Sequence, residues 1–379
     1  MKVAGFVAEF NPLTKGHIYL INKIKEEYKM DHLVVAMSPN FVMRGEPAIY
    51  DKFTRCELAL KAGVDLVLEI PTIYAIQSAD IYAKRGIEIL NAIGVRDLFF
   101  GVECDDIDKL ERIVDIMMSD EYNTELKKYH KIGLSFKESS KKAITSIDDS
   151  LGEIISSPNN LLGIEYLKAI KQSNYKFNIH PIKRTQSGYF DGINDSCDIQ
   201  SATALREELE KDSPNYSYFP FNPKNIQKHV KNDYLPFIKS KIYSSTLTEL
   251  KEILGMNEGF ENKLKNIKDS DNYDSLVNSL ISKRDRETKV NRILMATLLN
   301  IKKEETNSAP LSYIRILGFN NKGKSYLKVI KNCDYILIGS IKRDLPIVVY
   351  RELDFTKIYS LPFKEKLVNK EYEPIILEE

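Results

Sequence analysis

The chain has 379 residues, of which 43% are hydrophobic and 29% are charged, and its formal net charge is +1. This composition is typical of an ordered globular protein with a large core, and it excludes wholesale disorder. Because the net charge is close to zero, any nucleic acid would have to be bound by local basic patches.

Short β-branched runs alternate with helical patterns over the first 105 residues. The predicted strands are KVAGFVA, HLVVAMS, VDLVLEI and DLFFGVE, and the predicted helices lie at about 17–28, 52–62 and 78–93. This alternation predicts a parallel sheet with right-handed crossovers and helices on both faces. Ligands bind beyond the carboxyl ends of such strands, which is where EFNPLTKGH, MSPNFVMRGEP and GVECDD fall.

From about 106 to 146 the pattern becomes helical and rich in lysine. The α/β pattern then resumes with a capped helix at SSPNNLLGIEYLKAIK, a strand at FNIHPIKR and a helix at SATALREELE. Ser201 or Thr203 can cap the last of these helices.

Beyond about residue 215 the texture changes. LTELKEILGMNEGFENKLKNI predicts helices, RDRETKVNRILMATLLNIK an amphipathic helix, and YILIGSI with PIVVYREL a late strand pair. We therefore predict an α/β fold with a doubly wound, Rossmann-like parallel sheet over 1–215, which contains a basic helical insertion at about 106–146. A mainly helical domain with a small strand pair is predicted over 216–379.

The stretch EFNPLTKGH has the features of an anion site. Asn11 and Pro12 end the strand, Gly16 permits close backbone approach, and a helix that begins near His17 offers N–H groups and a positive dipole to a phosphate. His17 could donate to the same phosphate and stabilise charge during displacement at phosphorus. A P-loop and a dinucleotide fingerprint are excluded, because neither glycine pattern is present. The alternative is a capped turn with a surface histidine.

Two loops beyond the next strands carry further candidates. Arg44, Lys52 and Arg55 lie in FVMRGEPAIYDKFTR, where three cations suit a polyphosphate leaving group, although ordinary surface charges would give the same pattern. Ser78 is predicted to cap the following helix, and Gln77 and Asp80 at its mouth could orient substrate or water, or simply cap the helix.

Three later segments complete the predicted binding edge. Gly101 ends the fourth strand, where a side chain could obstruct a nucleotide. Of the adjacent Asn159 and Asn160, one amide can cap a helix while the other hydrogen-bonds to the adenine or ribose of a nucleotide. Sequence spacing does not separate the roles of these two amides. Lys183 and Arg184 end the strand HPIKR, and SATALR offers a second helix N-terminus to phosphate.

These segments together resemble a known family. Thr14 to His17 match the (H/T)xGH signature of the nucleotidyltransferase superfamily, with Thr14 in its first position. GFVAEFNPLTKGH, FVMRGEPAIYDKFTR, GVDLVLEIPTIYAIQSADIYAKRGIEIL, LFFGVE, PNNLLGIEYLKAI and SATALR, in that order, resemble the bacterial tRNA(Met) cytidine acetate ligase family. The match covers roughly residues 1–210, and it extends more loosely to RILGFNNKG.

The resemblance implies a nucleotidyltransferase-type fold and a reaction in two steps. ATP activates acetate as acetyl-adenylate, and the acetyl group then passes to N4 of the wobble cytidine of elongator tRNA(Met). Mg²⁺ is expected to accompany ATP, although no acidic cluster in the sequence indicates a magnesium site and no resident metal site is predicted. The implied catalytic residues are His17, Arg44 and Lys52. The implied ATP-binding residues are Val7, Ala8, Glu9, Phe10, Asn11, Pro12, Leu13, Thr14, Lys15, Gly16, His17, Ile18, Tyr19, Leu20, Gly101, Asn159, Asn160, Arg184, Ser201, Thr203 and Arg206.

Transfer RNA would need a basic surface around the ATP cleft. Candidate cations lie in the lysine-rich segment 127–142, in the group Lys283, Arg284, Arg286, Lys289 and Arg292, and at Lys322 and Lys324 in the turn GFNNKGK. Each group alone is more typical of a solvated surface. Two other functions use part of the same pattern: a cofactor-synthesising nucleotidyltransferase that joins ATP to a phosphorylated small molecule, and a non-catalytic RNA-binding module.

The N-terminus, the apolar runs, the cysteines and the histidines bear on cellular location and on metal or disulfide content. The N-terminal MKVAGFVAEF is too short and too soon interrupted by Glu9 for a signal peptide, and no apolar run is long enough for a membrane span, so a cytoplasmic protein is expected. The cysteines lack CxxC spacing and the other histidines are isolated, which argues against disulfides and a structural metal. Nothing in the sequence predicts the oligomeric state.

Overall fold

The computed structural model describes residues 1–184, 193, 198–267, 270–282, 285–307, 311–330, 334–363 and 366–378. Its strands are β1 (Val3–Ala8), β2 (His32–Met37), β3 (Phe41–Val42), β4 (Glu46–Pro47), β5 (Leu66–Glu69), β6 (Asp97–Val102), β7 (Asn178–Lys183), β8 (Tyr313–Asn320), β9 (Ile336–Ile338) and β10 (Ile375–Leu377). Its helices are α1 (Lys15–Glu26), α2 (Lys52–Lys61), α3 (Thr72–Ala75), α4 (Ala79–Ala92), α5 (Ile107–Met117), α6 (Asp120–Lys131), α7 (Phe136–Ile147), α8 (Pro158–Ser173), α9 (Ala202–Leu209), α10 (Leu235–Ser244), α11 (Leu247–Lys251), α12 (Phe260–Lys265), α13 (Tyr273–Leu280), α14 (Glu287–Leu299), α15 (Lys303–Asn307), α16 (Asn321–Val329) and α17 (Ile347–Ser360).

The main sheet has the strand order β10-β8-β5-β2-β1-β6-β7, and β9 also pairs with β8. β1 pairs in parallel with β2 and β6, β2 with β5, and β6 with β7. The predicted parallel sheet is therefore confirmed, and the carboxyl ends of these strands share one edge. The segments that follow β1, β2 and β6 all leave the sheet at that edge.

Alternation along the strands divides the core into two clusters, one on each face of the sheet. On one face, Ala4 and Phe6 of β1 pack with Ile21 of α1 and Cys56 of α2. On the other face, residues of β2, β5 and β6 pack with α4, α8 and the helices of the C-terminal region. The predicted covering of both faces by helices is thus confirmed, with α1 and α4 on opposite sides.

The insertion and the segments after it form as the pattern predicts. α5, α6 and α7 span the predicted helical insertion, β7 pairs in parallel with β6, and the side chain of Ser201 caps α9 by accepting a hydrogen bond from the backbone N–H of Ala204 at 3.0 Å. Ser78 occupies the N-cap of α4, but its side chain makes no capping hydrogen bond, so that part of the prediction is wrong.

The C-terminal region is mainly helical but returns to the sheet. β8 pairs antiparallel with β5 and in parallel with β9 and β10, so the sheet continues into residues far beyond 215. The domain boundary near 215 remains a prediction. β8 is almost entirely buried. We predicted no strand here, although the apolar run YIRILGF was the available signal.

One strand prediction in this region is wrong. PIVVYREL begins α17, whereas YILIGSI contains β9 as expected. The buried positions Val349, Glu352, Phe355, Thr356 and Tyr359 follow a helical spacing, which outweighs the β-branched residues at the start of the segment. None of the helices in the described part of the chain combines the length and the apolar content that a membrane crossing needs.

Candidate functional site

A cavity of about 410 Å³ opens at the carboxyl edge of the sheet, beyond β1, β6 and β7. The N-terminal ends of α1 and α9 face it, as do residues of α4, α8 and α14. The predicted site residues that line it are Val7, Ala8, Glu9, Phe10, Asn11, Thr14, Gly16, His17, Tyr19, Leu20, Arg44, Gly101, Asn159, Arg184, Ser201, Thr203 and Arg206. The structure thus brings most of the predicted residues into one cavity.

Thr14 and His17 form a reciprocal cap at the start of α1. The Thr14 hydroxyl accepts a hydrogen bond from the His17 backbone N–H at 3.2 Å, and the Thr14 backbone N–H donates to His17 Nδ1 at 3.0 Å. Because Nδ1 accepts from a backbone N–H, the proton of the neutral ring lies on Nε2. Nε2 makes no hydrogen bond to any of the described residues and remains available as a donor. The role of Thr14, which the sequence left open, is to orient this ring.

His17 is uncharged at neutral pH. Loss of hydration, and secondly the positive charge of Arg184, lower the pKa of His17 to about 3. The Phe10 ring meets the imidazole edge-on, with ring centroids 5.0 Å apart. His17 can therefore stabilise a phosphate by donating a hydrogen bond, without contributing a formal charge.

Arg206 links α9 to the segment that follows β1. Its guanidinium donates to the Asn11 carbonyl at 2.7 Å and to the Thr203 hydroxyl at 3.3 Å. The side chain of Asn11 accepts from the Ile49 backbone N–H at 2.7 Å, whereas its buried Nδ2 has no hydrogen-bond partner among the described residues. A buried donor left unsatisfied costs about 1–3 kcal/mol, which a polar ligand in the cavity would relieve.

The two adjacent asparagines have different positions. Asn160 Oδ1 accepts from the backbone N–H groups of Glu103 and Cys104 at 2.9 and 3.0 Å, which holds the end of β6 and leaves Asn160 outside the cavity lining. Asn159 lines the cavity, and its Nδ2 donates to Glu103 Oε1 at 2.6 Å. Asn159 is therefore the amide that can contact a ligand, and Asn160 is a structural residue.

Gly101 lines the cavity beside the side chain of Arg184. A Cβ at this position would lie 3.6 Å from Cγ of Arg184, which itself lines the cavity. Burial lowers the pKa of Arg184, and the carboxylate of Glu103 opposes that shift. A Cβ at Gly101 would make only an ordinary van der Waals contact with Arg184, so the structure gives no steric requirement for glycine from this side chain.

Lys52 does not belong to the cavity, in contrast to its predicted catalytic role. Its ammonium lies 2.6 Å from Glu69 Oε1 and 2.7 Å from Glu371 Oε1, and only 1% of its side chain is exposed. Burial opposes its charge, but these carboxylates outweigh burial and raise the pKa of Lys52 to about 12. The residue joins α2 to β5 and to the C-terminal segment.

Arg55 has a similar structural role. Its guanidinium donates to the carbonyls of Tyr50, Glu9, Ser38 and Pro39 at 2.5–3.0 Å, and its side chain is fully buried. Of the three cations predicted to face pyrophosphate, only Arg44 lines the cavity. The predicted ligands Pro12, Leu13, Lys15 and Ile18 also lie outside the lining. Gln77 is buried and donates to the Ile73 carbonyl at 2.7 Å, so it does not serve a substrate.

Sequence reasoning missed several residues of the cavity. Met43, Tyr82, Tyr166, Gln200 and Arg292 all line it. Arg292 was assigned to a surface that contacts RNA, because α14 belongs to a region that the pattern separated from the sheet. Glu9 was included only as part of a continuous segment, although burial raises the pKa of its carboxyl. A carboxyl group at the end of a strand, beside cations, was the available signal.

A metal cage is not evident in the part of the chain that the structure describes. No group of three or more histidine, cysteine, aspartate or glutamate residues there is placed to hold an ion. A metal held mainly by substrate phosphates needs no such group.

Two of the three predicted basic groups, the inserted helices and the start of α14, adjoin each other. Arg286, at the N-cap of α14, lies 3.4 Å from Glu138 of α7, so the start of α14 meets the inserted helices. Several of the lysines there are paired, Lys128 with Glu125 and Lys141 with Glu153. Lys283 and Arg284 lie outside the described residues. Lys322 and Lys324 are exposed at the start of α16, whose N-cap Asn320 donates a hydrogen bond to Asp65 at the amino end of β5. That end of the strand is opposite the cavity, so their predicted place beside the ATP cleft is wrong.

Comparisons with known proteins agree with this geometry. Residues 1–373 match the family described as HIGH Nucleotidyl Transferase. A tRNA(Met) cytidine acetate ligase of Clostridium novyi is 36% identical over all of both chains, and one of Ligilactobacillus salivarius is 35% identical over 90% of this chain and 91% of its own length. The crystal structure of Thermotoga maritima TmcAL in its apo form has a TM-score of 0.87, and the form bound with alpha-thio ATP has 0.84. Both are 28% identical to this chain and cover all of each chain.

Proposed function

This chain belongs to the tRNA(Met) cytidine acetate ligase family of HIGH nucleotidyl transferases, and we propose that it activates acetate with ATP and acetylates N4 of the wobble cytidine of elongator tRNA(Met). It is an ATP-dependent ligase that forms a carbon–nitrogen bond and releases AMP and pyrophosphate. The identity to relatives of this name extends over the whole chain, including the region after residue 215 that a smaller nucleotidyltransferase would not need.

The observation that carries the proposal is the convergence of phosphate-binding groups on one cavity. The N-termini of α1 and α9, the Nε2 donor of His17 and the guanidinium of Arg184 all belong to its lining. The relative whose crystal structure contains alpha-thio ATP has the same fold over the full length. ATP is the ligand that these groups suit, because helix N-termini and neutral donors bind phosphate without needing a specific cage.

The first step is adenylyl transfer. An acetate oxygen attacks the α-phosphorus of ATP, the bond from this phosphorus to the bridging oxygen breaks, and pyrophosphate leaves. Charge spreads over the phosphate oxygens in the transition state, so positioning and electrostatic stabilisation are the main contributions of the protein. We assign His17 Nε2–H to a phosphate oxygen, because Thr14 holds the ring with that donor available. Arg44 and Arg184 supply positive charge on the cavity wall.

The second step is acyl transfer to RNA. The N4 amine attacks the acetyl carbonyl, the bond between that carbon and the phosphate oxygen breaks, and AMP leaves as the proton departs from N4. The base must be reachable outside a stack, and an anticodon loop supplies such a base. The contact between Arg286 and Glu138 supports a continuous tRNA surface formed by α6, α7 and the start of α14, beside a cavity that Arg292 also lines.

The remaining expectations follow from the substrates. Mg²⁺ would enter as part of Mg–ATP and be held chiefly by the phosphates, with Glu9 as the nearby carboxylate of the cavity. Charge neutralisation at phosphate is the chemistry that it would supply. A tRNA substrate places the protein in the cytoplasm.

Acetate-dependent exchange of labelled pyrophosphate into ATP tests the first step without tRNA. The proposal predicts exchange with acetate and none without it. A cofactor-synthesising nucleotidyltransferase would instead need a phosphorylated small molecule, and a non-catalytic RNA-binding module would show no exchange under either condition.

A further inference from the structure

The cavity has two chemically different walls. On one face of the sheet, α1 and α9 present their N-termini and His17, which we have assigned to the phosphates of ATP. On the other face, α4 and α14 contribute Ala79, Tyr82 and Arg292. A nucleophile that attacks phosphorus must approach in line with the leaving group, so the acid substrate needs its own binding groups.

Arg292 is held in a fixed orientation on this second wall. Its Nε donates to the Met43 carbonyl at 3.1 Å. The loop that contains Met43 packs directly on α14, because a Cβ at Gly45, whose φ is +76°, would lie 2.3 Å from the Arg292 backbone nitrogen. The backbone of the Met43–Gly45 loop packs on the backbone of α14, and the Met43 carbonyl in that loop holds Nε of Arg292.

The Nη groups of Arg292 have no hydrogen-bond partner in the part of the chain that the structure describes. Neither Nη1 nor Nη2 makes a hydrogen bond to the described residues, and Asp80, the carboxylate whose charge acts on Arg292, forms no ion pair with it within 4.0 Å. Arg292 is partly buried, and burial lowers the pKa of its guanidinium because loss of hydration disfavours the charged form. Neighbouring Arg206, in contrast, is already occupied by Asn11 and Thr203.

A carboxylate can complete this arrangement. With Nε committed to a carbonyl, the two Nη groups can donate side by side to the two oxygens of one carboxylate. Met43 and Ala79, which also line the cavity, offer apolar surface that suits a methyl group.

We propose that Arg292 binds the carboxylate of a short-chain monocarboxylic acid, acetate in the proposed reaction, and positions it for attack on the α-phosphorus. This inference rests on the proposed function, because it names the group that holds the second substrate of the same site. It assigns to α14 a role in adenylation that is separate from RNA contact.

Arg292→Met tests the proposal in acetate-dependent pyrophosphate exchange, measured without tRNA. We expect KM for acetate to rise about 10- to 100-fold, which is the factor that corresponds to loss of a charged hydrogen-bonded pair, and KM for ATP to change less than about twofold. Arg292→Lys keeps the positive charge but loses the planar pair of donors, so its KM for acetate should lie between that of the unsubstituted protein and that of Arg292→Met. The matched control is Arg112→Met on the exposed surface of α5, which should behave like the unsubstituted protein.

Each other result has a defined meaning. An unchanged KM for acetate in Arg292→Met would overturn the proposal, and so would a defect confined to KM for tRNA, which would make Arg292 an RNA contact. If Arg292→Met fails to fold, as thermal unfolding would show, a normal KM for acetate in Arg292→Lys would overturn the proposal and a raised one would support it. Failure of the proposed function is distinguishable, because the unsubstituted protein would then show no acetate-dependent exchange at all.

Discussion

Replacement of Lys52 by methionine should destabilise the protein without removing its chemistry. The ammonium makes two close contacts, with Glu69 at 2.6 Å and Glu371 at 2.7 Å, and all three side chains are at most 1% exposed. Burial, and then the negative charge of Glu69, raise the pKa of the nearby Glu352 to about 8. Negative charge is therefore already unfavourable among these buried carboxyl groups, and removing the Lys52 cation would make it more so.

The magnitude follows from these contacts. A hydrogen bond to a charged group contributes about 1.5–3 kcal/mol, so two of them give roughly 3–6 kcal/mol. Breaking a buried ion pair by removing one partner typically costs about 3–5 kcal/mol, and we expect Lys52→Met to lower the free energy of unfolding by that amount. Adding Glu69→Gln should recover part of the loss, because it removes one of the carboxylates left without a cation.

Urea unfolding measures the stability, and acetate-dependent exchange per folded molecule measures the chemistry. Lys61→Met is the control on the same helix. Its side chain is 57% exposed and, among the described residues, pairs with Glu57 alone, so it should contribute less than about 1 kcal/mol. The reasoning would be refuted if Lys52→Met kept its stability and lost exchange, because Lys52 would then act in catalysis as the sequence suggested.

Three further outcomes are expected at the start of α1 and at the buried histidines. His17→Ala should reduce the rate of acetate-dependent exchange about 10²- to 10³-fold, while affinity for alpha-thio ATP falls much less; equal losses in both would contradict the assigned role. Thr14→Val removes the hydroxyl cap but keeps the backbone donor to His17, so we expect a stability loss of about 1 kcal/mol and an exchange rate within about tenfold of normal. Burial lowers the pKa of His17 to about 3 and that of His229 to about 4. Since the unfolded chain binds more protons at these histidines below pH 6.5, they lower the free energy of unfolding as the pH drops from about 6.5 to 4, whereas the raised pKa of Glu352 acts in the opposite sense. The fall should therefore be smaller in His17→Ala than in the unsubstituted protein, and identical profiles from urea unfolding would contradict this.

The elements that could be predicted are those whose sequence signals lie within the element itself or at its ends. Strands β1, β2, β5 and β6 and the helices between them follow from hydrophobic period and from residues such as Asn11, Gly16 and Ser201 at their ends. Because parallel strands end at one edge, the same reading brought His17, Arg184 and Arg206 to a single cavity.

The missed part depends on residues distant in the chain. The loop beyond β2 carries Arg44, Lys52 and Arg55, and sequence cannot tell which cation faces solvent when the partner of Lys52 is Glu371. Likewise, Arg292 reaches the cavity only because the C-terminal region packs on the sheet and adds β8 beside β5. The helical fate of PIVVYREL is also decided by tertiary packing, which buries Val349 and Phe355.

Mass analysis of nucleosides tests the central claim most directly. Elongator tRNA(Met) transcript would be incubated with the protein, ATP and isotopically labelled acetate, then digested and analysed alongside AMP release. We predict N4-acetylcytidine that carries the label at the wobble position, formed only when both ATP and acetate are present. Conversion of ATP to AMP without labelled acetylcytidine, or no conversion at all, would contradict the assignment.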